Sequence, residues 1–288
     1  MSQSLPTISI VTPSFNQGEF VEELLLSVKQ QNYPDLEHIV VDGASTDETV
    51  DILRRYSGKP GWGHLRWISE ADRGQSDALN KGFRMATGNI IGWMNSDDRY
   101  RQRCFATVAQ RFAERPEVDV VYGDYTWMDE KGCVKQIRRE IEFSRFILSY
   151  HHVLYIATVS TFFRRRLFEE GNWLDTSLQY AMDYDWFLRL AEKGYRFEHI
   201  RSILADFRFH SQSKTTAHSG RQFAEHNAIA MMHSPILRGM RGAFNQKITL
   251  GVLRCIAAGL RYSRKLLRGY YFERLPASQV SAPRLLHQ

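Results

Sequence analysis

A chain of 288 residues that is 43% hydrophobic and 24% charged has the make-up of a globular protein able to bury a real core. Three cysteines, Cys104, Cys133 and Cys255, lie far apart in no paired spacing, which argues against a disulfide framework or a zinc cluster and for a reducing compartment. The net charge of +6 is uneven: residues 235–288 hold ten Lys or Arg and one acid, Glu273, giving +9, and the other 234 residues sum to −3.

The opening residues, MSQSLPTISIVTPSF, lack the basic start and long apolar core of a signal peptide. No stretch reaches the ~18 uninterrupted apolar residues of a membrane span. The best candidate, residues 248–260, contains Arg254. A cytoplasmic protein without a spanning helix is therefore expected.

Residues 8–12 form a β-rich run stopped by Pro13, and 19–31 repeat apolar side chains at helical spacing. A second pair follows, a strand at 36–41 and a helix at 48–56. A third strand is expected at 65–69, a helix at 76–86, a strand at 89–94, a helix at 105–113 and a fifth strand at 118–122. Alternation of this kind predicts an α/β fold, a mostly parallel sheet covered by helices on both faces. Right-handed crossovers then put the strand C-termini along one edge, where such sheets bind ligands. From about Asp124 the alternation breaks, and 124–128 with 133–137 read as a hairpin. Residues 180–193 are an amphipathic helix stopped by Gly194, and 202–210 a late strand. The last 65 residues look helical, with breaks at Pro235, Gly239 and Gly242.

Acidic residues gather at strand ends: Asp42 closes one run, and Asp97 and Asp98 close another. Two adjacent carboxylates repel, so keeping both ionised calls for a cation or hydrogen-bond donors. A hard divalent ion, Mg²⁺ or Mn²⁺, suits oxygen ligands and pairs readily with a diphosphate. Asp42 is able to accept from the N3–H of a uracil or thymine ring. The plainer alternatives are that Asp98 caps the following helix and Asp42 supports a turn at Gly43.

Four segments occur in order: Thr12-Pro13-Ser14-Phe15-Asn16, Val40-Val41-Asp42-Gly43-Ala44-Ser45-Thr46-Asp47, Asp72-Arg73-Gly74-Gln75 running on to Asn80-Lys81-Gly82, and Asn95-Ser96-Asp97-Asp98. Together they resemble the family-2 glycosyltransferases, inverting enzymes that use nucleotide sugars, over about residues 7–215. The resemblance implies a GT-A fold, a Rossmann-like sheet flanked by helices. It divides the chain into a catalytic domain at 1–220 and a basic helical extension at 221–288. Within the former, about 1–125 would bind the nucleotide sugar and 126–220 the acceptor. It implies that Thr12, Pro13, Ser14 and Asn16 line the nucleotide pocket and that Asp42 contacts the base. Asp72, Gln75 and Asn80 would close over the donor, and Asn95 and Asp97 would meet the ribose and diphosphate. Family members usually begin this last motif with Asp where this chain has Asn95, which leaves the metal to Asp97 or Asp98.

Downstream, Asp183-Tyr184-Asp185 resembles the family's second acidic motif, and its match makes Asp183 the catalytic base, with Asp185 structural. His210 matches a residue at the end of a late strand that reaches back as a metal or diphosphate ligand. The implied cofactor is Mn²⁺ or Mg²⁺. The implied partners are a UDP- or dTDP-sugar and a glycan or lipid-linked acceptor of cell-surface polysaccharide synthesis. A sugar-phosphate nucleotidyltransferase would need a Gly-rich loop with a basic residue, and residues 12–18 have none. A non-catalytic nucleotide-sugar-binding module would not need Asp97, Asp98, Asp183 and His210 together.

In the tail, Leu250, Val252, Leu253, Ile256 and Leu260 interleave with Arg254, Arg261, Arg264, Lys265 and Arg268, followed by Tyr270, Tyr271 and Phe272. Such a pattern suits an anionic membrane surface. Residues 235–288 are thus expected to give peripheral attachment, at the cytosolic face of the inner membrane. No nucleic-acid-binding motif accompanies the charge.

Overall fold

The computed structural model describes residues 5–151, 153–210 and 219–273. The segment 211–218, where the resemblance ends, and the end of the extension, 274–288, lie outside the described residues. The first half alternates strand and helix: β1 (Ile8–Ser14), α1 (Val21–Lys29), β2 (Leu36–Asp42), α2 (Thr49–Ser57), β3 (Leu65–Ser69), α3 (Gln75–Met85) and β4 (Ile90–Trp93). Next come β5 (Arg99–Tyr100), α4 (Cys104–Glu114), β6 (Val120–Met128), β7 (Val134–Arg138), α5 (Arg145–Tyr150) and β8 (Thr161–Arg164). The chain continues with α6 (Arg166–Glu169), α7 (Met182–Glu192), β9 (Phe197–Arg208), α8 (Ser219–His233), α9 (Pro235–Arg238) and α10 (Ala243–Leu267).

All the strands share one sheet, in the order β3-β2-β1-β4-β8-β6-β9-β5, with β7 paired to β6. The four strands β3, β2, β1 and β4 are parallel, as the alternation predicts. Beyond β4 the sheet is mixed: β8 runs antiparallel to both β4 and β6, and β6 runs parallel to β9. The register sets Ser14 beside Asp42 and Val11 beside Trp93, so both acidic rims leave the sheet at the same edge. Alternate side chains of β1 feed two cores. Val11 joins Ile39, Val41, Leu79 and Phe83 on one face, and Ile8 and Ile10 join Leu24, Phe105 and Phe112 on the other.

Three differences from the sequence reading have local causes. Pro13 does not stop β1. The ladder to β4 ends at Val11, and the Pro13 carbonyl accepts from Ser96 Oγ at 2.6 Å, so Pro13 stays in register with Val41 of β2 while its other edge lies past the end of the β4 ladder. Residues 118–122 and 124–128 are one strand, β6. Gly123 sits where a Cβ would lie 2.7 Å from Leu204, so it marks a close approach of β9 and not a break. The four-residue β8 carries Phe162 and Phe163 fully buried and shows no alternation to read.

The division expected at 220/221 falls inside α8. Ile229, Ala230, Leu237, Leu250 and Ala257 of α8 to α10 belong to the same apolar cluster as Trp186 and Phe187 of α7. The extension is thus packed on the body. Several basic side chains at the end of α10 also face that body. Arg261 reaches both oxygens of the buried Glu140, at 2.7 and 2.9 Å, Lys265 reaches it at 3.0 Å, and Arg268 pairs with Glu142. What α10 turns outward is largely apolar: Ile248, Val252, Ile256, Leu260 and Leu266 are each exposed, and Leu267 is 88% exposed. Basic side chains do not interleave with this apolar face as expected, because the body supplies carboxylates that draw them inward. Among the described residues, no helix is long and apolar enough to cross a membrane.

Candidate active site

Two loops leave the rim side by side, one after β1 and one after β2. They are fastened together by Asn16 N–H donating to Ser45 Oγ (2.7 Å), Thr46 N–H to Asn16 Oδ1 (2.9 Å), Gln17 N–H to Thr49 Oγ1 (2.9 Å) and Gly18 N–H to Asp47 Oδ2 (2.8 Å). Asn16 and Ala44 hold positive φ angles of 51° and 62°, the kind of backbone strain that collects at binding loops. Thr12 is buried within the sheet, with its hydroxyl 3.0 Å from His38 Nε2. Burial pushes the His38 imidazole down to about 3, so it is neutral. Ser14 is 5% exposed, and its hydroxyl has no hydrogen-bond partner among the described residues. A buried orphan of this kind at the end of a sheet strand suits a polar ligand.

Asp42 is fully buried, and its carboxylate accepts from Ser45 N–H (2.9 Å), the Ser45 hydroxyl and the Ser69 hydroxyl (2.7 Å). Contact with a nucleobase would have to displace one of these donors. Here the residue shapes the loop that carries Ser45. Asp72 is half-buried and accepts from Gly74 N–H at 2.7 Å. Its Oδ2 lies 2.6 Å from where a Cβ on Gly43 would stand, so only glycine lets the two loops approach this closely. Gln75 Nε2 donates to Asn95 Oδ1 at 2.9 Å, which joins the Asp72 segment to the acidic motif. Asn80 faces inward: both ends of its amide bond the backbone of Leu174, at 2.9 and 3.0 Å, and it braces α3 against the chain before α7.

The structure separates the two aspartates. Asp97 is partly exposed, and its Oδ2 is 2.9 Å from His210 Nε2. Asp98 is 1% exposed and turned inward, accepting from Arg208 N–H at 2.8 Å and from Asn95 Nδ2 at 3.4 Å. Burial, and after it the Asp97 charge, pushes the Asp98 carboxyl well above the usual aspartate range. Asp97 is therefore the more open of the two acids and pairs with the buried His210, and Asp98 ties the turn to β9. Among the described residues no group of three or more His, Cys, Asp or Glu side chains is placed to hold an ion. Two protein ligands fit Mg²⁺ or Mn²⁺ when a substrate diphosphate and water complete the shell.

Sequence reading passed over Arg208, which holds this turn from beneath. Its Nε donates to the Asp97 carbonyl (2.7 Å), one Nη to the Glu130 carbonyl (2.7 Å) and the other to Glu23. Arg99 and Arg101 bind Asp206 at 2.7 and 2.6 Å. Asp206, Arg208 and His210 stand at period two along the late strand, a signal that was legible.

Asp183 stands in the first turn of α7, where Tyr184 N–H donates to its Oδ1 at 2.8 Å. Burial, with the Glu225 charge adding to it, pushes the carboxyl up to about 6. Asp185, two residues on, is engaged by Arg189 Nε at 2.7 Å and His233 Nε2 at 3.0 Å. These partners outweigh its burial and hold its carboxyl below the usual range. Among the described residues, then, one acid is paired with no cation and raised towards neutrality, and the other is fixed in ion pairs.

A parallel half-sheet that continues into a mixed half, with helices against it and fastened loops at its rim, is a GT-A-type fold. The sequence profile of glycosyl transferase family 2 matches residues 9–171, and the chain belongs to that family. An uncharacterised glycosyltransferase of Mycobacterium tuberculosis is 32% identical over 192 residues, 65% of this chain and 70% of that protein. Chondroitin synthase of Escherichia coli is 27% identical over 221 residues, 73% of this chain and 30% of that much longer protein. Two solved structures share the fold. Residues 1–349 of S. aureus TarS, in complex with UDP-GlcNAc, superpose with a TM-score of 0.64 at 18% identity, covering 86% of this chain and 71% of that one. The mannosyltransferase PcManGT of Pyrobaculum calidifontis, in complex with GDP-Man and Mn²⁺, gives 0.64 at 22% identity, covering 96% and 78%.

Proposed function

We propose that this glycosyltransferase moves a sugar, with inversion, from a nucleoside-diphosphate sugar to a hydroxyl of a glycan or lipid-linked acceptor in cell-surface polysaccharide synthesis. The observation that carries the reading is one connected rim. Asp97 sits in one turn with Asn95, Asn95 accepts from Gln75, and beside Gln75 the Cβ position of Gly74 lies 3.3 Å from Oε1 of Gln179, four residues ahead of Asp183. As the acceptor oxygen attacks the anomeric carbon, its proton passes to the Asp183 carboxylate. The bond from that carbon to the diphosphate breaks, and its electron pair leaves with the nucleoside diphosphate. A base poised near 6 is ionised at neutral pH yet basic enough to hold the proton. A divalent cation, held by Asp97 and His210, would supply counter-charge to the departing diphosphate. The orphan hydroxyl of Ser14 and the Asn16–Ser45 loops would receive the nucleotide, and UDP or dTDP is the favoured carrier. The polysaccharide setting is supported by the kinship with chondroitin synthase and with a putative teichuronic acid glycosyltransferase of Bacillus subtilis.

In this reading residues 1–220 are catalytic and 221–288 are the extension, whose described part both completes the core and faces a membrane. The membrane contact is made by the outward apolar face of α10 with Tyr271 and Phe272, at the cytosolic side where a lipid-linked acceptor is presented. The test of the transferase reading is a panel of nucleotide sugars screened for thermal stabilisation and for nucleoside diphosphate release, with and without Mn²⁺. One carrier at 100 times its dissociation constant should add about 2.7 kcal/mol of stability. A panel in which no nucleotide sugar stabilises the protein or is turned over would remove the reading.

A further inference from the structure

The family profile ends at Gly171, yet the helix that carries Asp183 is held by residues beyond both. Ala181, the N-cap of α7, has no side chain to cap the helix. The backbone N–H groups of the chain that leads into a helix also need partners from elsewhere. Here one carboxylate, Glu225 of α8, collects three successive N–H groups: Gln179 on Oε1 at 3.1 Å, and Tyr180 and Ala181 on Oε2 at 2.7 and 2.6 Å. Three consecutive amides converging on one anion form a nest, and a helix N-terminus adds its dipole to the attraction.

The same helix grips α7 at two further places. His226 stacks on Tyr184 at 3.7 Å between ring centroids and 7° between planes, and His233 bonds Asp185 and Glu192 at 3.0 and 3.1 Å. Asp183 lies between the first two grips, with Ala181 before it and Tyr184 after it. The nest also touches the donor side. Gln179, whose N–H Glu225 holds, keeps its side-chain Oε1 3.3 Å from the Cβ position of Gly74, and Ser76 Oγ meets the Leu178 carbonyl at 3.5 Å.

We propose that Glu225 is a positioning residue for the transfer reaction: its carboxylate, supplied by α8, fixes the backbone of 179–181 and thereby the placement of Asp183 against the donor segment. The proposal rests on Asp183 being the base. Glu225 is also the charge that bears on Asp183 across the gap, for Asp185 is taken up by Arg189 and His233. Its removal should therefore lower the Asp183 carboxyl somewhat, with burial still holding it above the ordinary aspartate value.

The test uses the full chain with Glu225→Gln and Glu225→Ala, reading kcat, donor KM, the acid limb of the pH–rate profile and the melting curve. Misplacement by about 1 Å is able to cost on the order of 10²-fold, so kcat should fall at least about tenfold in Glu225→Ala, with donor KM changed less than about threefold. Formate, a carboxylate small enough to enter the vacated nest, should restore part of that loss. Glu225→Gln keeps the shape but not the charge, so its acid limb should move to lower pH. Variants that are folded and match the wild type in kcat and pH profile would overturn the proposal. So would loss of fold in both variants with no response to formate, which makes Glu225 a folding residue. Asp183→Asn is run in parallel. If it transfers normally, the base assignment fails and takes this proposal with it. If it is inactive while both Glu225 variants behave as wild type, only this proposal fails.

Discussion

Replacing Asp183 by Asn should make the protein more stable and less active at once, with the first effect growing as pH rises. The folded carboxyl titrates near 6 against the ordinary 3.8, mainly because α7 and its neighbours keep water from it. At ~1.36 kcal/mol per pH unit, that gap sets about 3 kcal/mol against the ionised form. The sign follows from proton binding. The folded state holds this proton more tightly than the unfolded state, so stability is fully present below about pH 4 and is lost as pH rises through about 6. The asparagine amide has no charge to bury and keeps the bond from Tyr184 N–H. It forfeits a favourable anion at the helix start, worth roughly 0.3–1 kcal/mol, which leaves a gain of about 2 kcal/mol at pH 8 and nothing at pH 4. For a chain of this size that is a rise in Tm of about 4 °C, read by melting curves at the two pH values. In the same samples kcat should fall by ~10²-fold or more, the usual contribution of a general base. Wild-type turnover in the variant, or a melting difference that does not widen between pH 4 and pH 8, would refute both the assignment and its electrostatic account.

The two aspartates of the acidic motif should behave differently. Asp97→Ala should lose the Mn²⁺-dependent part of donor binding in a titration while melting like the wild type. Asp98→Ala should lower stability by about 1–3 kcal/mol, because it strands the buried Arg208 N–H. Glu140→Gln leaves Arg261 and Lys265 buried without their carboxylate, and a broken buried pair costs about 3–5 kcal/mol. Limited proteolysis should then cut α10 from the body first. Full-length protein should sediment with anionic liposomes and remain bound at 1 M salt, where the Debye length is ~3 Å, since the outward face of α10 is apolar. Release by salt, or binding unchanged by Ile256→Asp with Leu260→Asp, would refute contact through that face. A dimer that these substitutions dissociate would make it a self-association surface instead.

The parallel half of the sheet was legible because each strand there is followed by a periodic helix, and β3 spans the residues that the pattern picked out. The mixed half was not. Its strands are paired by residues far apart in sequence, as when β8 slots between β4 and β6, and a four-residue buried run carries no period to read. Asp42, Asp97 and Asp98 were picked out as acids at strand ends, yet their division of labour was hidden. Asp97 and Asp98 are neighbours in the chain, and only the position of Arg208, more than a hundred residues on, turns one inward and leaves the other beside His210. Asn80 and Thr12 show the same limit. Their side chains go to Leu174 and His38, partners that no local pattern announces.

The tail shows why a helical period is only half of an inference. Periodicity divides α10 into an apolar stripe and a basic one, but the period is identical whichever stripe faces in. The usual rule buries the apolar side. Here Leu250 and Ala257 obey it, but Glu140 and Glu142, on the connection after β7, also seat Arg261, Lys265 and Arg268 against the body and leave Ile256, Leu260 and Leu267 outside. Burying Lys265 lowers its amine to about 8, an electrostatic cost that a solvated helix would never incur. The result is a helix with core-facing Leu250 and Ala257 on one side and an exposed apolar stripe on the other. That outward stripe, more than the net charge of the tail, is what a surface outside the protein would recognise.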